Sequence, residues 1–328
     1  MKHIFSILIL ATVLSSCERD ISTEGPSLFD IYGDFSVKQA LDVSNRSVDF
    51  AAGETTTFTA EFSKSVNWEL TITGNTSGAQ KLITGFSKEL DYETALWDGS
   101  TTVFPMFKEE SCSVELFIPS DSVTLTETLA VKTVKTNEGF LISDFEDGFN
   151  PNWEHFFQSG VNFSTATDGA PQGNSFYNMA GTCGWDWLIG MVNIPASAYG
   201  SSTFVELPEN GDKVYFNVLL NLPEGITNAK LLIRFKEDDN NDGVFSDGLE
   251  DEYTLWFDDL DYGWQQISVK YSDLLAGGEN AAEPKGNGVH NPNLLNYIDI
   301  LLLADPSTGF SQVDMDYMIF TENEPLNP

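Results

Sequence analysis

Short runs of alternating apolar and polar residues, separated by turn signals, recur along most of this 328-residue chain. Residues 58–62 and 68–72 alternate in this way, and so do residues 113–118 and 127–134. A two-residue period is typical of a β-strand that buries one face and exposes the other. No segment has a sustained helical period, apart from a short turn near residues 272–275. The pattern therefore predicts an all-β chain.

A polar hinge at residues 136–139 divides this pattern into two stretches of unequal length. Within residues 36–137 the candidate strands recur at roughly ten-residue spacing, which predicts an immunoglobulin-like β-sandwich as a first domain. Residues 138–328 contain roughly ten candidate strands, and that number in one domain predicts a larger jelly-roll β-sandwich. The polar segment 17–35 in front of both domains is typical of a tether.

The amino terminus has the pattern of an export signal. Lys2 precedes an apolar run at residues 4–10 and then small residues, and the run is too short to cross a membrane as a helix. The signal ends in LSSC, which resembles the lipobox of bacterial lipoproteins. Cleavage of the signal peptide 1–16 would leave Cys17 as the lipidated first residue, and its acyl chains would hold the protein to a membrane. The alternative is an ordinary secretory signal with an incidental cysteine.

Besides Cys17, two cysteines remain after that cleavage, Cys112 and Cys183. They fall in different predicted domains, and two lone cysteines make a poor disulfide framework even in an oxidising compartment. We therefore expect both thiols to be free and buried.

The composition is strongly acidic, with 50 acidic against 16 basic side chains and a formal net charge of −34. Such a field repels phosphate backbones and anionic membrane faces, which excludes nucleic acid as a partner. An acidic surface suits a neutral ligand or a bound cation. The same charge also keeps a protein soluble in salty water, so it does not by itself select a ligand.

The densest acidic segment, EDDNNDGVFSDGLEDEY, begins like a calcium-binding loop. Alternate oxygens in D-x-N-x-D-G converge on a hard cation, and the glycine permits the tight turn. The predicted ligands are Asp238, Asn240, Asp242, the carbonyl of Val244, and Glu250. Leu249 stands where an EF-hand has glutamate, so Glu250 or Asp251 must complete the shell from further along. We expect structural Ca²⁺ here; the alternative is a solvated acidic hairpin.

Signals for catalysis are weak. His155 and His290 lie far apart without metal-ligand spacing, and the chain lacks nucleophile-elbow, P-loop and dinucleotide-binding patterns. The E-x-D-x-x-E strand signature of laminarinase-type jelly rolls is also absent, since VDMDYM lacks both flanking glutamates. We predict that the chain is not an enzyme. A glycoside hydrolase or lyase on a jelly-roll scaffold stays the alternative, because hydrolysis needs only two suitably spaced carboxylates.

The second predicted domain holds five of the seven tryptophans. Sugar rings pack their C–H faces on aromatic rings, and an indole offers a large contact area at small entropic cost. The predicted glycan contacts are Trp153, Trp185, Trp187, His290 and Asn291. Trp153 lies in a polar and aromatic segment without a strand pattern, and we expect one indole of the pair in WDW to face a ligand and the other the core. Trp256 and Trp264 are assigned to packing.

The order of these features resembles a known family. A lipobox, an acid-rich start, an immunoglobulin- or PKD-like domain and a terminal jelly roll follow one another, and DFEDGFNPNW, WDWLIG and DDNNDG…EDEY look like segments of the family's second domain. The family is the surface glycan-binding lipoproteins of Bacteroidota polysaccharide-utilisation systems. The resemblance carries no fixed list of binding residues.

The resemblance implies a lipid-anchored protein exposed at the outer-membrane surface. Its first domain would be a spacer, and its second would capture a polysaccharide or oligosaccharide, such as the β-glucan laminarin, for an outer-membrane porter. A further alternative is an adhesin or assembly subunit that has no sugar site and uses calcium only to stiffen the fold.

A second cation site follows from the resemblance to carbohydrate-binding jelly rolls. In many of them a glutamate in the opening strand and an aspartate in the last strand share a structural calcium with a loop of the DGAPQGNS type. The matching residues are Glu146, Asn174 and Asp316. The alternative is that these acids are surface residues of edge strands.

Overall fold

The computed structural model describes residues 33–276 and 283–328, and over these ranges the chain is almost entirely β-structure. Helical segments in the described ranges are limited to 3-10 turns of three or four residues. None of the helices described is long and apolar enough to cross a bilayer. The all-β prediction is confirmed. The predicted signal peptide, Cys17 and most of the predicted tether lie outside the described residues.

Seven strands in residues 33–137, which we call the first part, enclose one core. They are β1 (Val37–Val43), β2 (Ser47–Asp49), β3 (Thr56–Gly74), β4 (Gln80–Leu90), β5 (Leu96–Trp97), β6 (Glu110–Ile118) and β7 (Val123–Thr133). The long strand β3 pairs with β1 and β5 through its first half and with β4 and β6 through its second. Alternate residues of β3 are buried along its whole length, because one face covers the core. Trp68 and Trp97 are fully enclosed there.

Twelve strands in the described residues from 138 onward, which we call the second part, form two six-stranded sheets. They are β8 (Phe140–Ser143), β9 (Glu154–Phe157), β10 (Ser164–Ala166), β11 (Phe176–Thr182), β12 (Leu188–Pro195), β13 (Val214–Leu222), β14 (Lys230–Glu237), β15 (Glu252–Phe257), β16 (Gly263–Lys270), β17 (Leu275–Ala276), β18 (Leu295–Leu303) and β19 (Phe310–Glu322). The β19 sheet has the order β10-β11-β19-β13-β16, with β8 also paired to β19. The β14 sheet has the order β17-β15-β14-β18-β12-β9.

A large apolar core fills the space between these two sheets. Alternate residues of β13, such as Phe216 and Val218, face alternate residues of β14 and β18, such as Ile233 and Ile300. The remaining residues of each strand point away from the core, because successive side chains of a strand lie on opposite faces. Each sheet therefore has an outer face whose residues are fixed by the burial of the inner one.

The outer face of the β19 sheet packs against the first part of the chain. Leu219, Tyr317 and Ile319 form an apolar cluster with Phe104 and Met106 from the β5–β6 connection. Leucine, phenylalanine and methionine side chains bury well in such a contact. The contact gives the two parts a shared apolar surface on the β19 side of the second part.

Cys112 and Cys183 are both free and buried, as predicted. Cys112 lies in β6 and Cys183 follows β11. Burial raises the pKa of both thiols, to about 12 for Cys112, so neither is disposed to react as a thiolate.

Gly85 of β4 offers a test of the first core. A Cβ at this position would overlap the six-membered ring of the enclosed Trp68, whose indole N–H donates to Ser87 Oγ at 2.9 Å. We expect Gly85→Ala to destabilise the first part by about 1–3 kcal/mol, because a packed core resists added volume. Urea unfolding measures the change, with the neighbouring Thr84→Ala as control. Equal unfolding midpoints for the two variants would contradict the packing described.

Candidate functional site

Two exposed indoles stand in the turn between β11 and β12. We call Gly184–Trp187 the tryptophan loop; Trp185 is 58% exposed and Trp187 is 46% exposed. Asp186 between them has φ of 54°, in the left-handed region, and its carboxylate accepts a hydrogen bond from Trp187 N–H at 2.8 Å. The expected division of the pair between ligand and core is therefore wrong, because the turn breaks strand geometry and leaves both indoles open.

Gln158 holds the tryptophan loop in place from below. Its buried side-chain oxygen accepts hydrogen bonds from Gly184 N–H at 2.7 Å and Trp185 N–H at 3.3 Å. Its side-chain nitrogen donates to the carbonyls of Trp185 and Leu188. One amide thus satisfies four backbone groups, so the loop is ordered before any ligand arrives.

The outer face of the β14 sheet carries two rows of side chains that cross its strands. The first, which we call the apolar row, is aligned by strand pairing and consists of Trp256, Leu232, Leu301, Met191 and Phe156. Phe156 is exposed, Trp256 and Met191 are half-buried, and Leu232 and Leu301 are 4% and 5% exposed. Because adjacent strands lie about 4.8 Å apart, the row is about 19 Å long.

A hydrophilic row runs beside it, and on each strand its member is two residues away from the member of the apolar row. This polar row consists of Thr254, Arg234, Asp299, Asn193 and Glu154. The two rows are about 6.8 Å apart, the length of two strand residues. Buried Asp299 accepts a hydrogen bond from Asn193 Nδ2 at 2.5 Å and pairs with Lys236 Nζ at 2.5 Å. These contacts fix the polar groups at the centre of the face.

The tryptophan loop adjoins one end of this face. Leu188, directly after the loop, pairs with Leu303, which in turn pairs with Lys230 at the start of β14. The Lys230 ammonium lies over the Trp256 ring, 5.7 Å from its centroid. The exposed indoles thus lie in a loop at the strand ends that adjoin the apolar row.

Most residues of this face were not among the sequence candidates. Trp256 is assigned to packing by the sequence; it is half-buried, and its alignment with Leu232 puts it on the outer face. A signal was present in β14 itself. Its sequence KLLIRFKE puts Lys230, Arg234 and Lys236 on one face of a strand in a chain with only 16 basic residues. Basic residues that are two or four positions apart share one face of the strand, and in so acidic a chain they indicate a functional face.

Trp153 does not reach this site. It is 5% exposed and belongs to the core between the sheets, with its ring edge-on to Phe145 at a centroid distance of 6.0 Å. The prediction of an open sugar-stacking ring at Trp153 is wrong. The following residues Glu154–Phe157 form the edge strand β9, and this pairing turns the indole inward.

His290 and Asn291 lie at the opposite end of β14. The His290 ring stacks on Tyr253 at 3.8 Å, and Asn291 N–H donates to the buried Glu237 carboxylate at 2.9 Å. Glu237 and Lys230 are seven residues apart on β14, a separation of about 23 Å. The structure therefore does not bring these two residues to the tryptophan loop, and their contact with a glycan stays a prediction.

The predicted calcium loop is closed by its own hydrogen bonds. Asp238 accepts from the N–H groups of Asp242 at 3.0 Å and Gly243 at 2.6 Å. Glu250 reaches across the loop to Asn240 N–H at 3.3 Å, whereas Asp251 turns away and accepts from the separate segment 286–288. Of the two acids proposed to complete the shell, Glu250 is the one that faces the loop.

The second predicted cation site gathers oxygens from three separate segments. Glu146 accepts hydrogen bonds from Asn174 N–H at 2.6 Å and Ser175 N–H at 2.8 Å, and Asp316 accepts from Gln172 N–H at 3.3 Å. Burial, together with the negative charge of nearby Glu146, raises the pKa of Asp316 to about 8. The Gln172 side-chain oxygen is buried without a partner. Hard oxygen donors of this kind fit Ca²⁺.

Within residues 33–276 and 283–328, no three histidine, cysteine, aspartate or glutamate side chains are arranged as a metal shell. Calcium at either place stays a prediction. Each place offers amide or backbone oxygens beside its carboxylates, as calcium sites do.

Calcium titration distinguishes the two places. We expect free Ca²⁺ at 100 times its Kd to stabilise the protein by about 2.7 kcal/mol, because it binds only the folded state. Asp316→Asn should lose this gain if the Glu146–Asp316 place binds the ion, and Asp238→Asn if the acidic loop does. Differential scanning calorimetry with and without chelator measures both, and Asp259→Asn, which changes an exposed acid between β15 and β16, is the control. A transition unchanged by chelator in the wild type would contradict calcium at both places.

No protein-family model matches the chain, and no curated protein matches it in sequence. Solved structures with a similar fold include one of carbohydrate-binding modules from the β-sandwich superfamily, described as promiscuous in specificity. It is 11% identical with a TM-score of 0.38, over 88% of this chain and 98% of that one.

Two further structural neighbours are carbohydrate-binding proteins by their descriptions. One is the family 11 carbohydrate-binding module of the cellulosomal cellulase Lic26A-Cel5E of Clostridium thermocellum, 13% identical with a TM-score of 0.38, over 57% of this chain and 96% of that one. The other is SGBP-B from a complex xyloglucan utilization locus in Bacteroides uniformis. It is 13% identical with a TM-score of 0.35, over 88% of this chain and 73% of that one. Likeness at this level carries no argument about the ligand of this chain.

Proposed function

We propose that this protein is a non-catalytic glycan-binding protein whose site is the outer face of the β14 sheet together with the tryptophan loop. The observation that carries the proposal is the apolar row lying beside the polar row, with two exposed indoles at one end. The ligand is a polysaccharide or an oligosaccharide.

The two rows match the two chemistries of a sugar chain. A sugar ring has C–H faces that pack on aromatic and aliphatic side chains, while its hydroxyl groups need hydrogen-bond partners. A chain lying along the apolar row would stack on Trp256 and Phe156 and direct hydroxyl groups toward Arg234 and Asn193. At about 19 Å, a length of four strand spacings, the row accommodates about four sugar units.

Preorganisation supports binding at this face. Asp299 is already held by Lys236 and Asn193, and the tryptophan loop is held by Gln158. Side chains that are ordered before binding lose little conformational entropy when a ligand arrives. The interaction energy of the sugar is therefore retained as affinity.

The cellular setting is part of the same proposal and rests on the sequence resemblance. The protein would be lipid-anchored at the outer-membrane surface, with its first part as a spacer, and would deliver captured glycan to an outer-membrane porter. A β-glucan such as laminarin is the ligand expected from that resemblance.

Glycan binding is tested with a panel of polysaccharides by affinity electrophoresis and calorimetry. We expect Trp187→Ala and Trp256→Ala each to weaken binding at least about tenfold, which is about 1.4 kcal/mol. Phe310→Ala is the control, because it removes from the β19 sheet an aromatic ring about as exposed as that of Trp187. Reducing-end assays on the same mixtures should detect no product.

Three results would contradict the proposal. Failure of the wild type to bind any glycan would remove it. Loss of binding only in Phe310→Ala would move the site to the β19 sheet. Release of reducing ends, abolished by substitution of one carboxylate, would make the protein a hydrolase or lyase.

Lipid attachment is tested separately through Cys17. We expect the wild type to incorporate labelled palmitate and to fractionate with membranes, because acyl chains supply the anchor. Cys17→Ser should abolish both, while Cys112→Ser, which alters a buried thiol, should leave both intact. Membrane association that survives in Cys17→Ser would contradict the anchor.

A further inference from the structure

The face proposed to bind glycan carries as many cations as carboxylates. Lys230, Arg234 and Lys236 point outward from β14, and the carboxylates of Glu252, Asp299 and Glu154 lie on the neighbouring strands. In the whole chain, by contrast, acidic side chains outnumber basic ones by 50 to 16. What distinguishes this face is therefore which of its cations are left without a close partner.

The Arg234 guanidinium keeps its hydrogen-bond donors available. Its side chain is 35% exposed, and the nearest carboxylate, Glu252, lies 3.7 Å from Nε, beyond hydrogen-bond range. Nε itself is buried without a partner, and the guanidinium donates no hydrogen bond within the described ranges. Burial raises the pKa of Glu252, while the charges of Arg234 and Lys236 lower it. Donors of the Arg234 guanidinium thus stand without a hydrogen-bond acceptor in the polar row.

The two lysines of β14 differ in whether they pair with a carboxylate. Lys236 is committed, because its ammonium pairs with buried Asp299 at 2.5 Å. Lys230 lies over the Trp256 ring and pairs with no carboxylate in residues 33–276 and 283–328. Two cations, Arg234 and Lys230, are therefore available to a ligand on this face.

We propose that the glycan bound here carries anionic groups, either uronic acid carboxylates or sulfate esters. The proposal rests on the proposed function, since it names the class of glycan for the same site. A planar guanidinium fork matches the paired oxygens of a carboxylate or sulfate, and such charge-assisted hydrogen bonds are about twice as strong as neutral ones. Neutral hydroxyl groups would be served equally well by amides.

The two cations flank the apolar row at one position along its length. Arg234 and Lys230 lie on either side of the apolar row, four residues and about 13 Å apart along β14. A sugar chain on that row would direct side groups toward both of them. This ligand replaces the neutral β-glucan expected from the sequence resemblance.

The net charge of −34 opposes the approach of a polyanion at low ionic strength. At 0.15 M salt the Debye length is about 8 Å, so distant surface charges are screened while direct contacts persist. Binding should therefore be measured at 0.15 M salt or above. Under these conditions the contacts of Arg234 and Lys230 decide the preference.

Calorimetry with matched ligands tests the inference. The probes are alginate and its carboxyl-reduced form, and a sulfated galactan and its desulfated form, so the two sources of negative charge are separated. We expect one anionic probe to bind at least about tenfold more tightly than its neutral counterpart. Arg234→Gln and Lys230→Gln should remove that preference, and Arg234→Lys should restore it only in part because the fork is lost.

Lys270→Gln is the matched control. Its ammonium lies 5.8 Å from the Tyr215 ring centroid on the other sheet, so the variant removes the same charge and the same kind of ring contact elsewhere. Equal binding of charged and neutral probes, with Trp256→Ala weakening both, would overturn the anionic class while the glycan site stands. Absence of binding to every glycan would overturn both proposals. Thermal unfolding of each variant checks that it folds.

Discussion

The hydrophobic contact between the two six-stranded sheets determines which side chains of the second part remain for binding. Burial of residues such as Ile233 and Ile300 fixes the register of β14 and β18, because a slip of one residue would turn every apolar side chain outward. The same register aligns the outward residues into rows. The outer face proposed to bind glycan is therefore a consequence of the core, and its geometry is as well defined as the core packing.

Polar side chains that are already hydrogen-bonded give this face its shape. Gln158 satisfies four backbone groups below the tryptophan loop, and Asp299 is held by Lys236 and Asn193. Buried polar groups are costly when unpaired, so such networks specify one arrangement. Arg234 Nε and Asn193 Oδ1 in the polar row are exceptions, since both are buried without a hydrogen-bond partner. Unsatisfied polar groups of this kind are where we expect a ligand.

Local patterns in the sequence are enough to predict the all-β class and the free, buried cysteines. They could not reveal the rows, because alignment of Trp256 with Leu232 depends on strand pairing across the sheet. The exposure of the WDW pair depended on a left-handed turn at Asp186, and short-range alternation does not predict such a turn. Trp153 was misassigned because a segment without alternation nevertheless formed an edge strand that turned the ring inward.

A crystal structure of the protein with a bound oligosaccharide tests most directly whether glycan binds to the outer face of the β14 sheet. We predict sugar rings along the apolar row, in contact with Trp256 and crossing the strands of the β14 sheet, with polar substituents directed toward Arg234. Sugar bound instead on the outer face of the β19 sheet, or beside His290 at the far end of β14, would contradict it.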